Sequence, residues 1–483
     1  MKNIIKYICL SLIFIFSLNG CSNSKKDTLI VATNAEFAPF EYVENGEFKG
    51  IDIDIIKQYE KYANVKIEIK NMDFDAALLS VSTSKADIAM AAITKNEKRE
   101  ENMDFTNSYY DANQVVIVNK DSIYSSCETK EELLNLLSLN SAKIGCQRGT
   151  TGQYYIQGDK DWDFEGIANS QCKIYDNGSL AVYDLAKNNI DAVIIDEAPA
   201  LLYCKKNDKI KTLDFVLTSE EYCIAVEKGN NELLNSLNAF INEIKNNGTH
   251  EQIINSYFSD NITSSNNFLV MFKDIIKGLG ITFLITILAF ILGIIIGFVV
   301  CLASGIQSKN VILVIIKKIS QLYVSVFRGT PVTVQLLIIY YVVFSNINPL
   351  IAAIVAFGLN SGAYVSEIIR GGINSINKGQ MEAGRSLGLS YSVVMKKIIF
   401  PQAIRNSLPS LGNEFIALIK ETSVVSFITV IDLYAVFRLI ATASFNYKLV
   451  YLIMGVLYFV IIFVISFILR KIEKGVLKNV NVK

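Results

Sequence analysis

Two stretches of this chain, Ile281 to Ala303 and Val450 to Leu469, run without one charged side chain. Each has the length, roughly 20 apolar residues, that a helix needs to cross the hydrocarbon of a bilayer. A buried core helix of a soluble domain does not need such length without a charge. Three further apolar runs lie nearby. Phe327 to Ser345 is interrupted at its start by Arg328 and Pro331, Pro349 to Val365 is uninterrupted, and Asn413 to Ile431 contains Lys420 and Glu421. Together they predict five membrane spans between residues 268 and 483. From Met1 to about Asp260 the 483-residue chain instead reads as an ordinary globular mix. Two or more domains are therefore expected.

Charge follows the same division. The chain has 46 Lys+Arg and 46 Asp+Glu; residues 271–483 hold 20 of the bases and 7 of the acids, leaving 26 and 39 for the rest. An acidic soluble half joined to a basic apolar half is not a nucleic-acid binder. Basic excess beside apolar helices marks cytoplasmic loops. Lys309, Lys317, Lys318 and Arg328 follow the first span. Arg370, Lys378, Arg385, Lys396, Lys397 and Arg405 follow the third, and Arg470 to Lys483 form a basic tail. These segments fall inside, and the N-terminal half outside, only for an odd number of spans. The single histidine, His250, and eight scattered cysteines exclude a Cys/His zinc site, and no metal site is expected.

Lys2 and Lys6 precede a short apolar run, Ile8 to Leu18, which reads as an export signal over residues 1–21. Gly20 before Cys21 resembles a bacterial lipobox, with Asn19 a departure, so Cys21 is a candidate lipidation site. A cleaved signal and an uncleaved anchor are the alternatives. Between residues 28 and 260, strand-like runs (Thr28 to Thr33, Val65 to Ile69, Ala86 to Ile93) alternate with helical ones (Ile51 to Ala63, Phe74 to Ser84). That order predicts an α/β fold with a largely parallel sheet, followed by an all-α membrane domain over 268–483. The linker between them is residues 261–267.

A free amino acid presents a carboxylate and an ammonium, and both lose water on binding. The first calls for a guanidinium and backbone N–H donors, the second for a carboxylate. Phe37-Ala-Pro-Phe-Glu-Tyr42, Gly50-Ile-Asp-Ile-Asp54, Ala91-Ala-Ile-Thr94, Arg99, Gly149-Thr-Thr151 and Asp191-Ala-Val-Ile-Ile-Asp196 occur in this order. Over nearly its whole length this segment resembles the polar-amino-acid family of periplasmic-type binding proteins. The resemblance implies two α/β lobes, about 28–113 with 223–260 and about 118–218, joined by hinge strands and closing on the ligand. It also implies roles. Arg99 clamps the ligand carboxylate with Thr94 and the N–H of Thr151, Ala92 offers its carbonyl, and Asp196 accepts the ammonium. Phe37 and Phe74 sandwich the aliphatic part. Asn34 and Gln147 stand where many relatives carry charged or other polar groups against the ligand side chain. Both are neutral, which points to a polar uncharged amino acid, glutamine first, with cystine, asparagine and serine open.

In the membrane half, Glu382-Ala-Gly-Arg-Ser-Leu-Gly388 precedes Ile398-Ile-Phe-Pro401. This resembles the coupling loop of ATP-binding-cassette importer permeases, with Gly384 and Phe400 as mild departures. Glu382, Ala383, Gly388 and Pro401 would form two short helices joined at a glycine, the second stopped by Pro401, docking in a cytosolic ATPase. No Gly-x-x-x-x-Gly-Lys-Ser/Thr occurs, so ATP hydrolysis falls to a separate subunit, and no cofactor is expected on this chain. The family pairs two permease domains, which implies a homodimer. Lys420 and Glu421 are costly in lipid and are assigned to the translocation path. The expected whole is a fused receptor and permease in a bacterial cell membrane, a transport subunit and not an enzyme. A ligand-gated channel would place its pore between lobe segments, and a sensor would need a signalling module after Leu469. Dehydratases also use this binding fold, but the amino-acid clamp fits binding alone.

Overall fold

The computed structural model describes residues 28–44, 46–258, 268–306, 310–344, 347–444 and 446–478. Cys21 and the linker 261–267 lie outside them.

The N-terminal part is built on one hydrogen-bonded strand path. Its order is Gln171–Tyr175, Lys143–Gln147, Ala192–Asp196, Tyr110–Asn119, Thr218–Glu227, Ile88–Thr94, Thr28–Thr33, Lys66–Asn71. The outer trio at each end is parallel, as the strand–helix alternation requires. The two ten-residue strands in the middle are antiparallel to each other and to their flanking trios. They pass from one trio to the other, so the sheet divides into two lobes that share this central pair. The continuous apolar run Ile88–Thr94 is buried along its whole length, while the edge strand Lys66–Asn71 alternates. Helix Ile51–Ala63 puts Ile51, Ile55, Ile56 and Tyr59 into the first core. Leu133, Leu137, Ile144 and Ile194 centre the second.

One buried acid ties the first lobe to its cleft. Gly50, at φ +126°, starts helix Ile51–Ala63; a Cβ there would stand 2.0 Å from the Phe40 carbonyl oxygen. The turn delivers Asp52 inward. Its carboxylate accepts the Ala92 N–H at 2.9 Å and the Tyr109 hydroxyl at 2.9 Å. Ala92 is thereby held at φ +49°, a left-handed conformation that alanine rarely adopts.

In the helical part, Phe268–Ser304 packs along Pro349–Asn374. The seam is lined by Gly293, Gly297, Gly358 and Gly362; a Cβ on Gly297 would come within 2.7 Å of Val365. Small residues of this kind let membrane helices approach closely. Helix Tyr447–Lys478 is apolar and outward-facing, with Phe459 and Phe463 exposed. Among the described residues three helices are long and apolar enough to cross a membrane, or four if one bent pair counts as a single span.

Three expectations are corrected. The loop expected after the first span is largely a 19-residue amphipathic helix, Val311–Gly329, carrying Lys317, Lys318 and Arg328. The second span does not begin at Phe327: the chain breaks at Thr330–Pro331, because Pro331 cannot continue the helix, and a short apolar helix Val332–Val343 follows. The fourth run, Asn413 to Ile431, is not one α-helix. A helix from Tyr391 reaches Ile428, its last turns 3₁₀ from Thr422 on, and bends by 60° into Leu433–Ser444. Thr422 and Ser423 hydroxyls bond back to the Ile419 and Lys420 carbonyls and help end the α-helical pattern.

Asp52→Ala orphans two buried donors, at about 1–3 kcal/mol each. The expected outcome is a lower urea midpoint for the full chain, followed by Trp162 fluorescence. An unchanged midpoint would show that the anchor is dispensable.

Candidate functional site

The cleft between the lobes is lined by Asn34, Phe37, Phe74, Ala92, Thr94, Arg99, Gln147, Thr151 and Asp196, so every position assigned to the ligand by resemblance meets there. Glu41, Gln114 and Glu220 line it as well.

The clamp is spanned by bonds between the lobes. Arg99 donates through Nη2 to the Gly149 carbonyl at 2.9 Å, and through Nη1 to the Thr94 carbonyl. Its guanidinium lies 5.5 Å from the Phe74 ring centroid and 5.4 Å from that of Trp162. A flat cation held between two ring faces keeps its edge toward the cleft. Gly149 sits at φ +71°, where a Cβ would strike Asp75 of the other lobe at 2.0 Å. The glycine of the Gly-Thr-Thr turn is what lets the lobes close this far.

Glu220 changes the reading of the carboxylate end. The hydroxyls of Thr94 and Thr151 both donate to Glu220 Oε2, the second at 2.7 Å. The Thr94 side chain, expected on the ligand carboxylate, thus bonds a carboxylate of the hinge strand, and so does the Thr151 hydroxyl, of which only the backbone N–H was expected to serve. Sequence reasoning missed Glu220, which lies in the polar run Thr218-Ser-Glu-Glu221. The signal available was its place two residues before the buried Tyr222. Trp162, the chain's one tryptophan, was missed too; it comes from a single 3₁₀ turn, Lys160–Trp162.

At the opposite end Asn34 and Gln147 face each other. Gln147 donates to Asn34 Oδ1 at 3.2 Å and accepts the Gly178 N–H at 3.2 Å, while Asn34 donates to the Met72 carbonyl at 3.0 Å. Both are buried. Asp196, at the end of its strand, accepts the Tyr222 hydroxyl at 2.5 Å. Burial, then the charge of Glu220, pushes the Asp196 carboxyl up to about 7 against that bond. Glu41 is pushed well up by burial and by Asp52. Among the described residues, Glu41 Oε2, Gln114 Oε1 and Glu220 Oε1 are buried in this lining without a hydrogen-bond partner. Unmet acceptors of this kind suit a ligand that brings N–H donors.

In the helical part the coupling segment forms helix Lys378–Ser386, a turn through Gly388 at φ +81°, and helix Tyr391–Val394 capped by Ser390. Glu382 and Ala383 are exposed. Gly384 packs on Val394, 2.7 Å from where its Cβ would be, so glycine rather than alanine brings the helices together. Pro401 does not stop the second helix. It lies in the first turn of Phe400–Glu421, directly after a π-helical turn, Met395–Ile399. The wider turn spares the chain the bond that proline cannot make. Lys420, exposed, and Glu421, half-buried, end that helix rather than lying mid-span.

Residues 29–260 match the model of bacterial extracellular solute-binding proteins, family 3, and residues 301–478 that of the binding-protein-dependent transport system inner membrane component. A putative glutamine transport system permease protein, GlnP, of Rickettsia typhi is 41% identical over 36% of this chain and 79% of its own length. A probable histidine-binding protein of Neisseria gonorrhoeae is 31% identical over 50% of this chain and 91% of its own. An arginine transport system permease protein, ArtQ, of Bacillus subtilis is 44% identical over 29% of this chain and 67% of its own. The chain belongs to the binding-protein-dependent amino-acid transport family. It joins that family's receptor and its permease in one polypeptide. The receptor–permease is thus an inner membrane protein of an amino-acid ABC transporter, and its families are transport components, not enzymes.

An ammonium beside Asp196 favours the charged carboxylate and lowers its pKa on binding. Amino-acid affinity is then full above about pH 7 and declines as pH falls through it, by at most about tenfold per pH unit. In the unliganded receptor–permease the sign reverses. A pKa raised from 3.8 to about 7 costs stability as pH rises across that range. Calorimetry between pH 5.5 and 8.5 reads the affinity, and Glu220→Gln moves its midpoint to lower pH by removing the neighbouring charge. A flat profile would exclude Asp196 as the ammonium partner.

Proposed function

We propose that the receptor–permease captures a polar, uncharged amino acid, L-glutamine first, on the extracytoplasmic side and imports it through its own permease. A separate cytosolic ATPase hydrolyses ATP, and two copies of this chain complete the pathway. The observation that carries the ligand class is the buried Asn34–Gln147 pair, an amide facing an amide across the lobes at 3.2 Å. Two amides offer donors and acceptors that match a third amide and neutralise no charge. A relative named for glutamine transport supports the reading.

A cationic ligand is the second reading. Glu41, Asp196 and Glu220 line the cleft against the single base Arg99, and relatives are named for arginine and histidine. Burial weakens it, because all three carboxyls are pushed up. Glu41 in particular is raised well above the usual carboxylate range by burial and the neighbouring Asp52, which disfavours its charged form.

The ATPase partner is supported by the shape of the coupling segment. Leu387 is 80% exposed and Tyr391 60% exposed at the tip of an otherwise polar turn. Apolar residues presented this way seek a cleft in another protein. Lys420 and Glu421 at their helix end, where the chain turns 3₁₀, remain the proposed lining of the path. Ligand closes the lobes, the closed receptor bears on the permease, and ATP binding to the partner draws the coupling segments together.

Calorimetry on the full chain separates the ligand classes: L-glutamine should bind at least tenfold tighter than L-arginine, and the reverse order would establish the cationic reading. Uptake of labelled glutamine by vesicles should need both the ATPase subunit and ATP, and Leu387→Asp should abolish it. Uptake without ATP would overturn the importer.

A further inference from the structure

Arg438 lies on Leu433–Ser444, the helix beyond the 60° bend, and is 9% exposed. A buried guanidinium in a permease helix requires counter-charges, and both come from the receptor. Arg438 Nε lies 2.9 Å from Glu36 Oε1, a charge contact outside hydrogen-bond angles, and Nη1 lies 2.8 Å from Asp73 Oδ1. Both acids belong to the first lobe. They stand one residue before Phe37 and Phe74, which line the cleft. Lys85 of the same lobe donates to the Phe344 carbonyl and sits 4.5 Å from the Tyr340 ring centroid.

The second lobe meets the permease differently. Ser179 shares a hydrogen bond with the Tyr447 hydroxyl, and Tyr183 packs edge-on against the Tyr447 ring at 5.4 Å. Leu180 joins the same apolar cluster. The pieces close into a ring through Asn177. Its Nδ2 donates across the cleft to Glu36 Oε2 at 2.6 Å. Its Oδ1 accepts the Ser179 hydroxyl and caps the Leu180 N–H, both at 2.9 Å. The path runs from Arg438 through Glu36 to Asn177, on to Ser179, and back to the permease at Tyr447.

The two contacts respond differently to the lobes. With the first lobe held at Arg438, a rotation that opened the cleft would part Asn177 from Glu36 and Ser179 from Tyr447, and would leave Glu36 and Asp73 within reach of Arg438. We propose that the permease carries an anchor and a sensor for its own receptor: Arg438 holds the first lobe in either state, and Tyr447 engages the second lobe only when the cleft is closed. This rests on the transport reading above. It adds how one permease distinguishes a loaded receptor from an empty one that is tethered beside it all the time.

The test uses the full chain with its ATPase subunit in lipid nanodiscs and a mixture of the twenty proteinogenic amino acids as probe, so it does not depend on which one binds. The readout is the probe concentration giving half-maximal stimulation of ATP hydrolysis. Tyr447→Phe and Ser179→Ala both remove the Ser179–Tyr447 bond; the first also removes the Tyr447 bonds to Asn177 Oδ1 and Thr442, and the second the Ser179 bond to Asn177 Oδ1. Each should raise that concentration about tenfold or more, the scale of one buried bond, and the double variant should raise it by less than the product of the two because the Ser179–Tyr447 bond is shared. A pair of effects that multiply to about a hundredfold, or a Tyr447→Phe variant with no effect, overturns the sensor. Elution of Ser179→Ala at the unmodified position establishes that loss of response is not loss of fold. If the unmodified complex shows no stimulation at all, the transport reading fails and the sensor with it.

Discussion

A carboxylate taken out of water is costly unless something nearby compensates for it. The cleft and its rim hold five such groups: Glu36, Glu41, Asp52, Asp196 and Glu220. Their partners dictate much of the architecture. Asp52 is satisfied by the Ala92 amide and Tyr109, and in being satisfied it shapes the backbone that lines the cleft. Glu220 accepts hydroxyls from both lobes at one oxygen, Oε2, and so bridges them, while its Oε1 stays unmet. Glu36 is satisfied partly by the opposite lobe and partly by the permease. Closing the lobes and docking the receptor are therefore two ways of compensating the same kind of buried charge. At Glu41, burial and the neighbouring Asp52 push the carboxyl well up, which disfavours its charged form.

Much of this was legible in the residues. The parallel trios follow from strand and helix runs in alternation. The cleft residues followed from ordered motifs, and Asn34, Arg99, Gln147 and Asp196 do converge in space. What was illegible has a common physical cause. Glu220 and Trp162 come from polar or irregular segments, and only the folded sheet brings them within reach of Arg99. Asn177 and Arg438 are separated by 261 positions in the chain, and nothing local marks either as a partner of Glu36. Long-range pairing of this kind leaves no periodicity to read.

The helical part was read less well for a different reason. Hydropathy counts apolar residues and not the direction of the axis. It treated Arg328 and Pro331 as interruptions of one span, whereas Pro331 separates two helices that use their apolar residues differently. It also treated Pro401 as a stop. A π-helical turn placed immediately before that proline removes the conflict, and the helix continues to Ile428. Proline rules hold for a regular α-helix, and this chain is irregular where they would apply.

That continuity has a mechanical meaning. The helix that starts at Tyr391, within the exposed coupling segment, runs unbroken to Ile428. At Thr429, φ +70°, it turns by 60° into the helix bearing Arg438, and Tyr447 follows within a few residues. Thus the exposed coupling segment and Arg438, which holds the first lobe, lie toward the two ends of one bent rod, with Tyr447 opening the next helix. If the rod moves as one body, motion at the coupling segment reaches Arg438 directly. Linkage then works in both directions. If closed lobes favour one position of the rod, that position favours closed lobes by the same free energy. A rod pulled to its other position must loosen the hold on the second lobe, which is the step an importer needs to release its cargo into the pore.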